Sequence, residues 1–144
     1  MKILKSVLDI INNSVADFPP ETGGILGSSD GLIIDKVVMD EYDLNNQKFC
    51  SYFPNVKFLN SNIEIWQKNG IDFKGIFHTH FFGVETLSDG DKQYIDAIMK
   101  AMPESVKELY FPIFVLPNRE LFCYKAKKND SGTEISFDET VLVI

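Results

Sequence analysis

The sequence predicts an α/β domain in which a mixed, mostly antiparallel sheet is flanked by about three helices. Apolar residues recur at helical spacing in three segments, and short β-branched or aromatic stretches lie between and after them. Gly, Pro and Asn separate most of these segments. The 144 residues, 44% hydrophobic and 24% charged, have the length and composition of one globular unit. We therefore expect residues 1–144 to form a single domain.

The first predicted elements are a helix and a pair of strands. Apolar residues recur every three or four positions over residues 3–18, which predicts an amphipathic helix that Pro19-Pro20 ends. Residues 23–27 and 32–39 are rich in β-formers and are joined by the turn-forming residues 28–31. This pattern predicts two adjacent strands.

The middle of the chain predicts a helix, a strand and another helix. Helical spacing returns over residues 56–66 and stops at Asn69-Gly70, which supplies a left-handed helix end. Residues 73–80 are aromatic and β-branched and predict a strand, whereas residues 81–87 have no clean period and predict a loop. A third helix is expected from Ser88 to just before Pro103, with Tyr94 on its core face.

The C-terminal part is predicted to be all strand. Short β-rich stretches alternate there with turn residues. The four predicted strands are Phe111–Leu116, Glu120–Ala126, Thr133–Phe137 and Val141–Ile144.

Charge and hydropathy exclude several classes of function. The 14 basic and 21 acidic side chains give a net charge of −7, so nucleic acid is not an expected partner. No apolar run is long enough to span a bilayer, and no signal-peptide core precedes Asp9, so we expect a cytoplasmic protein with no membrane partner. Cys50 and Cys123 have neither disulfide-framework nor thiolate-zinc spacing and are expected to be small buried apolar residues.

The chain's two histidines, His78 and His80, stand at the end of the predicted strand 73–80. Side chains at i and i+2 of a strand point to the same face, so both imidazoles can converge on one point. Neutral imidazole is a common zinc ligand. A histidine pair alone is more often a solvated strand end than a ligand pair, so a third ligand decides between the two interpretations.

Asp91 is the candidate third ligand, and it lies in the segment Ser88-Asp89-Gly90-Asp91. Ser followed three residues later by an acid is also a helix-capping pattern, and the two interpretations are compatible, because a carboxylate in the first helical turn projects from the helix end. Two His and one carboxylate leave a fourth tetrahedral position for water, which is typical of a catalytic zinc. Asp89 is the second choice for this ligand.

A catalytic zinc also needs a base for its water, and Glu21 is the candidate. Glu21 is expected to open the strand of residues 22–27, whose glycines allow another segment to approach closely. The alternative is a tight turn or bulge beside an exposed acid.

Together these residues resemble the motif of the JAB/MPN metalloprotease family, also called JAMM. The family pattern is a Glu at the start of a strand, then His-x-His, seven residues, Ser, two residues and Asp. The chain has Glu21, His78-Thr79-His80, Ser88 and Asp91 at these spacings, and the order of predicted elements is similar over essentially the whole chain. One position departs from the pattern, since Phe81 stands where the family usually has Pro.

The resemblance implies that His78, His80 and Asp91 hold Zn²⁺. It also implies that Glu21 is the general acid/base and that Ser88 helps to stabilise the oxyanion. One hydroxyl can cap a helix or serve the reaction, and the sequence leaves both roles of Ser88 open.

The resemblance further implies a compact, prokaryotic-type isopeptidase that hydrolyses the amide bond after the C-terminal glycines of a ubiquitin-like or sulfur-carrier protein. Phe81, Phe82 and Val84, with Tyr52 and Phe53, are candidates either for the groove that binds this tail or for core packing. Two alternatives are a non-catalytic MPN-type scaffold and a zinc hydrolase of a small-molecule amide. The sequence favours no oligomeric state.

Overall fold

A computed structural model describes residues 1–41 and 52–144. Three helices lie within these ranges: α1 (Lys5–Ser14), α2 (Val56–Lys68) and α3 (Asp89–Ala101). The strands are β1 (Lys2–Ile3), β2 (Gly23–Ser28), β3 (Lys36–Met39), β4 (Asp72–Phe81), β5 (Glu108–Leu116), β6 (Glu120–Asn129), β7 (Gly132–Phe137) and β8 (Leu142–Val143). None of the described helices is long and apolar enough to cross a membrane.

Six strands form one sheet in the order β3-β2-β4-β5-β6-β7. Strands β4 and β5 pair in parallel, and the other four neighbouring pairs are antiparallel. Strands β1 and β8 form a separate parallel pair. The predicted fold class, a mixed and mostly antiparallel sheet with three helices, is confirmed.

Helices cover both faces of the sheet. On one face, α1 buries Val7 and Ile11 in a cluster that includes Phe77 of β4. On the other, α2 and α3 pack on a second cluster that includes Ile76. Because side chains alternate along a strand, His78 and His80 share the face of Ile76 and therefore point towards α3.

Several predicted boundaries are wrong, and local hydrogen bonds explain two of them. The first helix was expected from Ile3, but Ile3 lies in β1 and pairs with Val143 of β8. The second strand was expected from Leu32, but the Asp30 carboxylate accepts the Leu32 and Ile33 N–H groups at 2.8 Å each. This side-chain turn competes with strand pairing, so β3 begins only at Lys36.

Strand β4 needs a glycine three residues before His78. Gly75 has a φ of +147°, and a Cβ atom there would lie 1.7 Å from the Tyr110 carbonyl oxygen of β5. Only glycine combines this backbone conformation with so close an approach of β5. The parallel pairing that carries the histidines therefore depends on it.

Replacing Gly75 by Ala is expected to lower the free energy of unfolding by about 3 kcal/mol or more, since overpacking and backbone strain each cost about 1–3 kcal/mol. Gly132→Ala is a matched control, because Gly132 also has a positive φ, of +127°, but no heavy atom lies within 4 Å of its added Cβ. Urea denaturation of the native protein and both variants measures the free energy of unfolding. Equal losses in the two variants would show that the approach of β5 is not what requires Gly75.

Candidate metal centre

The candidate centre lies where the end of β4 meets the start of α3. His78 and His80 are buried near the end of β4, with 0% and 4% of their surface exposed. Asp91, in the first turn of α3, is 5% exposed. Burial of three polar side chains is costly unless they bond one another. These three do so.

Three donor groups converge on one point. The Nε2 atoms of His78 and His80 lie 2.9 Å apart. The Oδ1 atom of Asp91 is 3.2 Å from His78 Nε2, and its Oδ2 atom is 3.2 Å from His80 Nε2. The structure therefore brings together the three residues that the sequence assigned as metal ligands.

The other nitrogen of each imidazole has its own partner. His80 Nδ1 lies 3.0 Å from the Val84 carbonyl oxygen, and His78 Nδ1 lies 3.1 Å from the Tyr94 hydroxyl. Partners of this kind orient metal-binding histidines in proteins. Both rings are thus held with Nε2 towards Asp91.

The residues after His80 form a tight turn. It begins at Phe81, where the motif that the sequence resembles usually has Pro. Phe82 and Gly83 have φ values of 58° and 74°, and the Val84 N–H donates to the Phe81 carbonyl at 3.3 Å. Positive φ at both central residues is the type I′ pattern. This turn directs the Val84 carbonyl back towards His80.

The predicted loop 81–87 is therefore wrong at its first residue, because Phe81 ends β4. Phe81 is buried in the cluster on the α1 face, which favours core packing over a groove role. Phe82 and Val84 are 78% and 49% exposed, so only these two of the three lie at the surface beside the centre.

Ser88 and Asp91 form a capping box at the start of α3. Ser88 Oγ accepts from the Asp91 N–H at 3.1 Å, and Asp91 Oδ2 accepts from the Ser88 N–H at 2.8 Å. The capping interpretation of this segment is confirmed, and the same carboxylate also faces both histidines. Asp89, the second-choice ligand, is exposed and contacts neither histidine in the described structure.

Glu21 completes the centre from the segment that precedes β2. Donor atoms of Glu21, His78 and His80 all lie within 4.8 Å of one another. Glu21 was expected to open β2 but lies two residues before it. Two hydrogen bonds hold its segment against β4. The Thr79 N–H donates to the Thr22 carbonyl at 2.8 Å, and the Thr22 N–H donates to the Thr79 hydroxyl at 2.9 Å.

The carboxylates of the centre differ in protonation. Burial raises the pKa of Glu21 to about 7, although the charge of His80 and the Tyr52 N–H oppose it. Burial also acts to raise the pKa of Asp91, but the hydrogen bonds from His78 and His80 outweigh it and hold that pKa well below its usual range. Asp91 is thus a permanent anion, suited to bind a cation, while Glu21 can exchange a proton near neutral pH.

A cleft of about 540 Å³ opens beside these groups. That volume is in the range of small-ligand sites. Its lining residues are Glu21, Tyr52, Phe53, Pro54, His80, Ser88, Gly90, Asp91, Gln93 and Tyr94. Tyr52 and Phe53, two of the predicted groove candidates, therefore line the cleft.

Tyr52 is a wall of the cleft and a support for His78. Its ring stacks on the His78 ring at 5.7 Å with an interplanar angle of 11°, and its hydroxyl donates to Asp40 at 2.7 Å. A Cβ atom at Gly23 would lie 2.6 Å from the Tyr52 ring. The glycine-rich strand thus allows close approach, as its sequence predicts.

Sequence reasoning assigned Tyr94 only to the core face of the third helix and missed its contact with His78. A usable signal exists, because Tyr94 lies three residues after Asp91 and so on the same side of α3.

Cys123 is buried as expected, whereas Cys50 lies outside the described residues.

Comparison with known proteins identifies the fold. No family model and no curated protein matches the sequence. Among solved structures, the chain is similar in fold to a JAB1/MPN domain protein from Archaeoglobus fulgidus, with 17% identity, a TM-score of 0.55 and coverage of 100% of this chain and 99% of that one.

Two further solved structures are similar over nearly the whole chain. A protein from Desulfitobacterium hafniense has 19% identity and a TM-score of 0.61, covering 100% of this chain and 93% of that one. A protein from Salinibacter ruber has 16% identity and a TM-score of 0.57, covering 99% and 91%. The chain thus has an MPN-like fold.

Ser88→Ala is expected to lower the free energy of unfolding of the metal-free protein by about 1 kcal/mol, because the Asp91 N–H loses its cap, whereas Ser88→Gly should cost only a few tenths. Ser61→Ala is the control, since Ser61 Oγ donates to the Lys57 carbonyl within α2, where both residues are exposed. Urea denaturation measures the free energy of unfolding of the three variants and of the native protein. A Ser88→Ala variant as stable as the native protein would contradict the capping role.

Proposed function

We propose that the protein is a zinc-dependent peptidase. Its substrate is the amide bond after the C-terminal glycines of a ubiquitin-like or sulfur-carrier protein. The observation that carries the proposal is the convergence of His78, His80 and Asp91 on one point, with Glu21 within reach, at a cleft of an MPN-like fold.

The donor set fits zinc. Two ligand atoms of a tetrahedral zinc, each about 2.0–2.1 Å from the metal, lie about 3.3 Å apart. The two histidine Nε2 atoms lie 2.9 Å apart, and each lies 3.2 Å from one of the two Asp91 carboxylate oxygens. Burial lowers the pKa of His78 and so favours the neutral imidazole that metals bind.

Zinc at this point would polarise the scissile carbonyl and lower the pKa of the attacking water. Glu21 takes the proton of that water and later delivers it to the leaving amine. Its pKa of about 7 suits both transfers at neutral pH. The carboxylate of Asp91 stays ionised throughout and holds both imidazoles in place.

Ser88 combines its two candidate roles. Its Oγ accepts the cap hydrogen bond from Asp91, and this leaves the hydroxyl hydrogen to donate towards the cleft that Ser88 lines. A hydroxyl donor beside the carbonyl stabilises the negative charge that develops there. Capping and oxyanion stabilisation are therefore compatible.

The substrate class is supported by the motif resemblance and by the shape of the cleft. Tyr52, Phe53 and Pro54 form one wall of the cleft, and their bulky side chains favour a tail with small residues. Glycines present no side chain to this wall, which favours a bond that follows them.

A fusion of a ubiquitin-like protein, ending in Gly-Gly, to a reporter peptide tests the proposal. The zinc-loaded protein should release the reporter after the second glycine. Glu21→Gln should slow release by about 100-fold or more, because proton transfer is lost, while about one zinc per chain remains bound. Asp89→Asn is the matched control, since it removes an exposed acid at the start of α3, beside Asp91.

Native turnover by Glu21→Gln would exclude Glu21 from the mechanism. Cleavage of small amides but of no fusion by the same zinc-loaded preparation would replace the substrate class with small molecules. A folded, zinc-loaded protein that cleaves neither would favour a scaffold.

A further inference from the structure

Tyr94 makes a polar contact inside the centre that the proposed mechanism does not use. Its hydroxyl lies 3.1 Å from His78 Nδ1, and the two rings meet edge to face at 6.0 Å. The His78 side chain is fully buried, so its Nδ1 depends on this hydroxyl for a partner. A buried ring nitrogen without a partner would be costly.

The two histidines have different kinds of partner at Nδ1. His80 faces the Val84 carbonyl, which can only accept, so His80 must carry its proton on Nδ1. Its Nε2 lies 3.2 Å from Asp91 Oδ2, which can only accept, so His80 donates to that carboxylate whenever its Nε2 carries a proton. Its Nδ1 partner is the same with or without a metal.

His78 has the opposite tautomer in the metal-free protein. Its Nε2 lies 3.2 Å from Asp91 Oδ1, which can only accept. The single proton of a neutral His78 must then lie on Nε2. Its Nδ1 is left as an acceptor, and Tyr94 must donate to it.

Binding of a metal through His78 Nε2 requires the other tautomer. The imidazole carries one proton before and after, but that proton must now be on Nδ1, which becomes a donor. A hydroxyl can exchange donor and acceptor roles by rotation, whereas a carbonyl or an ammonium cannot. Tyr94 also lines the cleft, where its own O–H can donate to water.

We infer that Tyr94 is a positioning residue whose hydroxyl donates to His78 Nδ1 in the metal-free protein and accepts from it in the metal-loaded protein. His80 keeps its Nδ1 proton in both forms, whereas His78 changes to the tautomer that binds the metal. The inference rests on the metal centre of the proposed function.

The test is zinc affinity, measured by competition with a chelator, for the native protein and Tyr94→Phe. The variant keeps the ring but leaves a buried N–H of His78 unpaired when zinc is bound, so its affinity should fall about 10- to 100-fold with the stoichiometry unchanged. Tyr110→Phe is the matched control, because the Tyr110 hydroxyl bonds Glu108, on β5. Its affinity should match that of the native protein.

Nitrogen-15 NMR of the histidine rings at alkaline pH reads the tautomers directly, and it needs only the native protein. His78 should change from the Nε2–H form to the Nδ1–H form when zinc is added, while His80 stays in the Nδ1–H form. A packing role of Tyr94 would not produce this change.

Two results would overturn the inference while the metal centre stands. One is native zinc affinity in Tyr94→Phe, and the other is a His78 that already carries its proton on Nδ1 in the metal-free protein. Failure of the native protein to bind zinc would instead refute the proposed function and the inference together.

Discussion

The carboxylate of Asp91 joins the two elements on which the centre depends. One oxygen faces His78 at the end of β4, and the other faces His80 and also accepts the Ser88 N–H at the start of α3. The same group therefore sets where the helix begins and how both imidazoles point. Because these groups are buried, water competes little for their hydrogen bonds. Loss of the carboxylate would therefore leave several polar groups unpaired.

Much of this arrangement was predictable from the sequence, because its determinants are local. Periodicity located all three helices of the described residues, and the i, i+2 spacing of His78 and His80 placed both rings on one face. The Ser88–Asp91 spacing predicted the cap that the structure contains. Boundaries were less predictable where a side chain competes with strand pairing, as Asp30 does before β3.

The contacts around the two histidines were only partly predictable from local pattern. Tyr94 has the spacing of a core residue, and only the packing of α3 on β4 shows that its hydroxyl meets His78. The turn at Phe82-Gly83 contains a bulky residue with positive φ, which propensity does not favour. Tyr52 reaches the site from a segment far from His78 in sequence and stacks on its ring because Gly23 leaves room.

The central claim is that His78, His80 and Asp91 form a metal centre, and elemental analysis of purified protein tests it most directly. After zinc is supplied and the excess removed, the native protein should contain about one zinc per chain, as three converging protein ligands predict. A His78→Ala, His80→Ala double variant that keeps its circular dichroism should contain none. A native protein that retains no zinc, or a double variant that retains as much as the native protein, would contradict the account.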